Sequence, residues 1–595
     1  MKPVLDQYRL GKADYVLLSV LLLPTFVLFF HGDIGGVGLD SLNYLFGHPL
    51  EFYDNCLAIR GGGKHMGGTP YPPTIYLIFA LWLLPFKAFG ILNSPNEFPI
   101  YLIYWLKILT TLIYTWSAGL FYKVCLLYFQ SKEHAKYAAI AWLAMPVAFF
   151  SQFIFSQYDI FYVALTIAGF LMFLKERIFL ASILFGFAIT FKYFPIFVFI
   201  PLLFLFEKKV FKIIVNIVLF SLPTIILDLI YKNSFAYKLG VKNHASIEKI
   251  YDASLNIGCC DIYYIFAGFI LISGISYFYD APEENKKTTA SYVWLISSIL
   301  PFLFIAWHPQ WTIFFIPPII LTTLLHDKHE RFFLLDLYGM MCFVGIIALL
   351  FQRTFGTDML FGGRVLGIPL KNSHAMGDIF DHFGFKSGFI YLTGFWSYLI
   401  LQITVKYKKL VNKSYTNLFV INYNTLRINL FIGLAIFFIP TIYALHQSTY
   451  SSIASEKGGS HFGELTKGRV FSQSFLAKDQ HLKNLQLYLA TFARENNGIL
   501  LVEIVDSNNK IVYTTQLELA NIHDNRWINI PFRNLKLAIG KPYRIVLRSP
   551  EAVPGNAITW WASESDTFAG GSAIVDDLVR ESDFMFKMTF SQFAF

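Results

Sequence analysis

Charge is what this chain has least of. Asp, Glu, Lys and Arg make up 15% of its 595 residues, against roughly 25% in soluble domains. With 55% hydrophobic residues and a mean hydropathy of +0.51, that scarcity excludes a soluble globular protein and predicts an integral membrane one. Cysteine is scarce too: there are five, without metal-ligand spacing. Cys125 and Cys342 fall in apolar helices, whereas Cys56 and the pair Cys259-Cys260 fall in loops where one disulfide could form. The chain shows no clear Asp-x-Asp motif, no phosphate-cradling glycine motif on the cytoplasmic side, no internal repeat and no low-complexity tract. Nucleic acid is excluded as a partner, because the net charge of +9 sits in short loops rather than on the face of a soluble domain. Such loops obey the positive-inside rule.

Long apolar runs are abundant. A span needs about 17–25 residues, and candidates lie near 15–30, 74–89, 99–129, 137–155, 158–174, 178–206, 210–230, 261–279, 290–306, 308–325, 332–351, 388–405 and 428–445. The first follows Lys2, Arg9 and Lys12 as a signal peptide would, but no small-residue cleavage site follows, so it reads as a helix that is kept. Lys132 and Lys136, Lys175 and Arg177, Lys208, Lys209 and Lys212, Lys286 and Lys287, Lys328 and Arg331, and Lys406 to Lys413 mark cytoplasmic loops. Both flanks of 178–206 are basic, and Lys192-Tyr193-Phe194-Pro195 interrupts it. Proline disfavours a helical residue before it, so this stretch reads as a helical hairpin with Lys192 at its tip. Parity then requires that either 74–89 or 99–129 is not a simple span. The expected fold is a polytopic α-helical membrane protein of about 12–14 segments over 1–446. An all-β, jelly-roll-like sandwich follows over 447–595, where runs such as Leu485-Gln486-Leu487-Tyr488-Leu489 alternate with period two. A basic loop at 406–427 before the last span puts the sandwich outside.

Four polar strings interrupt the apolar segments: Tyr71-Pro72-Pro73, Ser156-Gln157-Tyr158-Asp159, Lys192-Tyr193-Phe194-Pro195 and Trp307-His308-Pro309-Gln310. A charge at membrane depth costs about 2.5–3.5 kcal/mol even on lenient scales, and loop charges alone put all four on the outer face. The first outer loop adds His31-Gly32-Asp33, Asp40, Glu51, Asp54, Arg60, Lys64 and His65. A boundary acid ordinarily just solvates a helix end, but beside so many other charges Asp33 is the better candidate for chemistry. Lys192 alone would be a snorkelling lysine; at a broken helix facing Asp33 it is placed to meet an anion. Asp159 suits a helix start, and His308 is equally explained as a helix-start residue. Loop 352–387 carries Arg353, Asp358, Arg364, Lys371, His374, Asp378 and His382; arginine suits bidentate phosphate binding, a solvated loop explains several of these charges equally well, and only one or two are expected to be functional.

In this order the strings resemble the GT-C superfamily of polytopic glycosyltransferases over roughly residues 1–350, most of all the bacterial branch related to GPI mannosyltransferases. The resemblance implies a sugar transfer at the outer face of a bacterial inner membrane, from a polyprenyl-phosphate donor to a glycan, lipid or protein acceptor. It implies Asp33 as catalytic base, with inversion at the sugar. Lys192, Arg364 and His308 would then hold the donor phosphate, and Asp40, Tyr71, Gln157, Asp159, Gln310 and Arg353 would line the substrate site. Ser156 stands where many relatives have glycine, a departure expected to matter little. Without Asp-x-Asp, a divalent metal (Mg or Mn) is left open. The sandwich resembles carbohydrate-binding-like domains, through Trp527, Trp560 or Trp561, although strand tryptophans more often pack inward. Rival readings are a flippase for lipid-linked saccharides, which would favour midplane sites and repeats, and a lipid-linked glycan polymerase or ligase.

Overall fold

In a computed structural model the described residues are 12–59, 69–95, 98–242, 249–327, 329–351, 359–360, 364–365, 368–369, 376–385, 387–412, 421–448 and 450–591. The chain divides into a helical unit (1–367 with 375–441) and a second unit (368–374 with 442–595). The helical unit is that of a multi-pass membrane protein. It begins α1 (Lys12–Leu28), α2 (Gly32–Phe46), α3 (Phe52–Ile59), α4 (Pro73–Ala88), α5 (Ile100–Phe129) and α6 (Lys132–Ala144). It continues with α7 (Pro146–Phe149), α8 (Ile160–Leu174), α9 (Ile178–Ile189), α10 (Pro195–Phe206) and α11 (Val210–Tyr231). Among the described residues four helices are long and apolar enough to span, or six when each of two bent pairs counts once. Several others stop at 10–17 residues. The expected segments are therefore present as helices, but many are cut short, and the helices Pro73–Ala88, Ile160–Leu174, Pro195–Phe206 and Pro309–Leu324 each begin at one of the polar strings.

Each break has a local cause. Between α1 and α2 the axis bends by 58°. His31 there adopts an extended conformation and its Nδ1 accepts from the Asp33 N–H, starting a new helix with an acid in its first turn. Between α6 and α7 the 50° bend follows extended Met145, and Pro146 is ready-made for the next helix start. A π-turn, Phe150–Ile154, then ends the segment. Pro195 likewise opens α10.

The segment 178–206 is a hairpin, as its basic flanks predict. Phe173, at the end of α8, packs its ring against Phe185 of α9, and Phe199 and Phe206 of α10. The start of α9 and the end of α10 also line one groove with the first turns of α11. The arms lean on α11, where Phe199 stacks on Phe220 at 4.3 Å and Ser182 donates to Asn216 at 2.8 Å. Gly186 lets α9 approach so closely that a Cβ there would lie 2.5 Å from the Phe220 carbonyl oxygen.

The second unit is a β-sandwich of two antiparallel sheets. One orders Ile511–Glu518, Ile499–Asp506, Pro542–Arg548, Phe471–Leu476, Ala573–Val575 and Leu578–Val579. The other orders Tyr450–Ser455, Phe586–Ser591, His481–Ala490, Thr559–Ala562 and Ser460–His461, with Arg526–Lys536 also paired to His481–Ala490. Period-two alternation sends Leu485, Leu487, Leu489, Val502, Ile504 and Ile545 into one shared core with Trp560 and Phe584. Trp560 is thus core, as strand tryptophans usually are; Trp527 and Trp561 are half-exposed on the other side of their strands.

None of the five cysteines forms a disulfide. Cys56 is buried with its sulfur against Asn43, and Cys259 and Cys260 are exposed. Replacing Gly186 by Ala should push α9 off α11 and lower the melting temperature of the purified protein by several degrees. Gly274→Ala, whose Cβ would meet nothing within 4 Å, should leave it unchanged or raise it. Equal melting temperatures for the two variants would contradict the close approach.

Candidate active site

The breaks in the helices meet. Where α1 ends and α2 begins, Phe30 N–H donates to the Met359 carbonyl (2.9 Å) and His31 N–H to the Phe155 carbonyl (3.2 Å). The His31 and Phe155 rings stack at 4.0 Å. From the next break, Ser151 donates to the Gln310 carbonyl (2.6 Å), and Gln157 Nε2 reaches Asp33 Oδ2 at 3.5 Å. From the hairpin tip, Lys192 Nζ pairs with Asp159 Oδ1 at 2.5 Å and lies 4.7 Å over the Trp311 ring. Trp311 in turn contacts His308 edge-on at 5.0 Å. Tyr71 meets Tyr158 at 5.1 Å. Residues far apart in sequence thus form one cluster, the convergence that loop charges predict.

Within it the polar groups sort by depth. Gln157, Asp159 and Gln310 form a buried floor, each no more than 3% exposed. Asp159 is held by Lys192, so it neutralises and orients the lysine, and an unpaired lysine at this depth would be strongly disfavoured. One ammonium has three N–H groups; Asp159 takes one. Asp33 is different. Its carboxylate is 38% exposed, and His31, Lys192 and His308 all act on it electrostatically. His31 Nδ1 lies 3.4 Å from Asp33 Oδ1. The same nitrogen accepts from the Asp33 N–H, so it has no proton to give and the contact is not a salt bridge. His308 is exposed, with no side-chain capping bond to its helix. Among the described residues the accessible rim is therefore the Asp33 carboxylate, the imidazoles of His31 and His308, the edge of Lys192 and the Tyr71 ring.

Asp40 lies two turns further along α2, buried, with its carbonyl oxygen beside Asn43 and Cys56. Arg353, Arg60, Lys64, His65, Asp358, Lys371 and His374 lie outside the described residues, as do the side chains of Arg364, which sits in a two-residue strand, and His382. Among the described residues no three His, Cys, Asp or Glu side chains come together as metal ligands.

Two residues matter more than the sequence suggests. Lys107, midway along α5, is 1% exposed. Its ammonium takes hydrogen bonds' acceptor ends from α1: it donates to the carbonyls of Phe29 (2.5 Å) and Phe26, and lies 3.5 Å from that of Thr25. The Phe26 and Phe29 carbonyls are among those that the end of α1 leaves without helical partners, while that of Thr25 also accepts the Phe29 N–H. A lysine near the middle of a thirty-residue apolar run, well away from its ends, was the available signal. Ser156 is the second. Its φ of +57° puts it in the left-handed region that costs a residue with a Cβ about 1–2 kcal/mol. Its hydroxyl offsets part of this by donating to the carbonyls of Phe153 (3.0 Å) and Phe29 (3.4 Å). The glycine expected there in relatives has a physical reason, and the substitution is less neutral than it looks.

Residues 69–246 match the family described as glycosyltransferase family 87, a stretch that includes Tyr71, Gln157, Asp159 and Lys192. No curated protein matches. Among solved structures, the chain is similar to ArnT from Cupriavidus metallidurans bound to undecaprenyl phosphate, at 11% identity and a TM-score of 0.33, over 74% of this chain and 91% of that one. It is also similar to the arabinosyltransferase EmbB from Mycobacterium smegmatis, at 9% identity and a TM-score of 0.40, over 99% of this chain and 65% of that one.

Lys107→Leu should strand the carbonyls that close α1. Each unsatisfied buried group costs about 1–3 kcal/mol, so a clear fall in melting temperature is expected, partly recovered in Lys107→Arg. Ser156→Gly should be stable or slightly stabilised, and Ser156→Val destabilised. A Lys107→Leu protein that melts like the parent would show that water or other groups already satisfy those carbonyls.

Proposed function

We propose that this membrane glycosyltransferase of the GT-C type, with its family 87 match over residues 69–246, moves a sugar from a polyprenyl-phosphate donor to an extracytoplasmic acceptor hydroxyl with inversion. The observation that carries the reading is one accessible carboxylate, Asp33, within electrostatic reach of a lysine, Lys192, that the buried Asp159 holds in place. Asp33 takes the proton of the acceptor hydroxyl as its oxygen attacks the anomeric carbon. The bond from that carbon to the phosphate oxygen breaks, and the lipid phosphate leaves with the electron pair. Negative charge grows on the phosphate during this step, so Lys192 and His308 stabilise the transition state more than the ground state. His308 acts there as a neutral N–H donor, and Arg364 is the proposed second cation. Asp159 does not react; it keeps Lys192 charged and aimed.

The floor supports the same reading. Gln310 Oε1, Trp311 Nε1 and Asp159 Oδ2 are buried without a hydrogen-bond partner among the described residues. The two oxygens are acceptors that sugar hydroxyls would satisfy by donating, and the indole N–H is a donor for a sugar or phosphate oxygen. Substrate contacts are assigned to Tyr71, Gln157 and Gln310. Basic loops on one side and the four strings on the other support an outward-facing site in a bacterial inner membrane.

Asp33→Asn keeps the shape but cannot accept a proton, so transfer should fall by about 10²–10⁴-fold with donor binding retained. Lys192→Met should instead weaken donor binding. Near-parental transfer by Asp33→Asn, with Asp40→Asn inactive, would move the base to Asp40. Sidedness has its own test. Cys259 and Cys260 are the exposed cysteines, the other three being buried, so a membrane-impermeant maleimide on intact spheroplasts should label this pair alone. Labelling only after lysis would overturn the proposed orientation.

A further inference from the structure

The outward face of one sandwich sheet carries a set of side chains that the core does not use. Along the central strand His481–Ala490, Leu485, Leu487 and Leu489 point inward and are fully buried, so Gln486 and Tyr488 point outward. Tyr488 stands opposite Trp527, and Gln486 opposite Asn529; on the other edge Gln486 is opposite Lys587. The Tyr488 and Trp527 rings lie 5.1 Å apart at 52°. Lys587 Nζ sits 4.6 Å over the Trp527 ring and 3.0 Å from Glu456. Gln486 donates to Asn529 across the strands at 3.3 Å, in an exposed hydrogen bond.

We propose that this face is a glycan-binding site, with Trp527 and Tyr488 as the stacking surface and Gln486, Asn529 and Lys587 as the hydroxyl-reading edge. A pyranose ring presents an apolar C–H face bordered by hydroxyls. Two tilted aromatic rings offer the apolar complement, and their quadrupoles favour C–H groups over their faces. The amides beside them offer both donors and acceptors, as vicinal hydroxyls require. An anionic bilayer would call for several unpaired basic residues close together, whereas the lysine at the aromatic pair, Lys587, is already paired with Glu456. Aromatic side chains with only two rotatable torsions also lose little freedom on binding. The face is built from three strands fixed by ladder hydrogen bonds, so it is preformed.

The test uses the full-length protein in nanodiscs and water-soluble oligosaccharides released from the envelope of the organism that makes it, followed by titration calorimetry. The parent should bind, and Trp527→Ala and Tyr488→Ala should each weaken binding about two- to tenfold, with melting temperature unchanged. Trp527→Phe, which keeps a ring, should retain most of the affinity. Transfer to a short soluble acceptor should be unaffected in all three variants. A parent that binds none of the oligosaccharides, or a Trp527→Ala/Tyr488→Ala double variant that binds as tightly as the parent, would overturn the proposal. Loss of affinity in Trp527→Phe equal to that in Trp527→Ala would do the same, because stacking would not be the contact. Binding is read without turnover, so the outcome is independent of whether Asp33 is the base.

Discussion

A backbone interrupted inside a membrane has to find partners for the carbonyls and amides it exposes, because hydrocarbon supplies none. In the helical unit that demand is met at one corner above all. Lys107 closes the carbonyls at the end of α1, Ser156 adds its hydroxyl to the same carbonyl of Phe29, and the amides of Phe30 and His31 are taken by Met359 and Phe155. Once that corner is held, Asp33 is in the first turn of α2 with no freedom to drift, and its neighbours 155–159 are tied to it by backbone as well as by Gln157. The chemistry of the site therefore rests on groups that touch no substrate. This also explains why the breaks cluster: each loop end satisfies another loop end, so one interrupted helix would be costly where several together are not.

Most of this corner was legible in the sequence, for a simple reason. Polar residues in apolar segments are conspicuous, so Asp33, the 156–159 string, Lys192 and the 307–310 string stand out, and the basic flanks of 178–206 dictate the hairpin. What sequence cannot show is which polar residue serves the backbone and which serves a ligand. Asp159 and Asp33 look alike as acids at helix starts; only burial separates the paired one from the accessible one. Lys107 hid for the opposite reason, since a lysine in a long span is easily read as snorkelling towards the surface, whereas here it donates to the carbonyls that end α1. Ser156 looked like a conservative exchange because side-chain chemistry is visible in a sequence and the sign of φ is not.

The sandwich was legible through its period of two, which also holds a deduction about its tryptophans. Trp560 and Trp561 are adjacent on one strand, and neighbours on a strand face opposite sides. Both could be core only if both faces of the sheet were covered by the sandwich itself. Trp560 takes the inside, stacked on Phe584 at 4.3 Å, and Trp561 is left outside with its indole N–H on Asn525. Trp527 gives no such clue in sequence, because its direction depends on the register with Tyr488.

The hairpin that carries Lys192 has arms of twelve residues each. An upright helix of that length rises about 18 Å, while the hydrocarbon core is about 30 Å thick. With its feet at the basic loops, each arm alone would end roughly 12 Å short of the far side of that core, and the turn 190–194 that carries Lys192 makes up only part of the difference. A lipid whose phosphate is to reach Lys192 must therefore be drawn inward, or the bilayer around the protein must thin to meet it. On the proposed function, bilayer thickness becomes a setting on the protein: thin membranes bring lipid headgroups toward the lysine and thick ones hold them away, at fractions of a kcal/mol per ångström of mismatch. The length of two short helices thus couples the lipid composition of the surrounding membrane to the ease with which a lipid-borne substrate can be engaged.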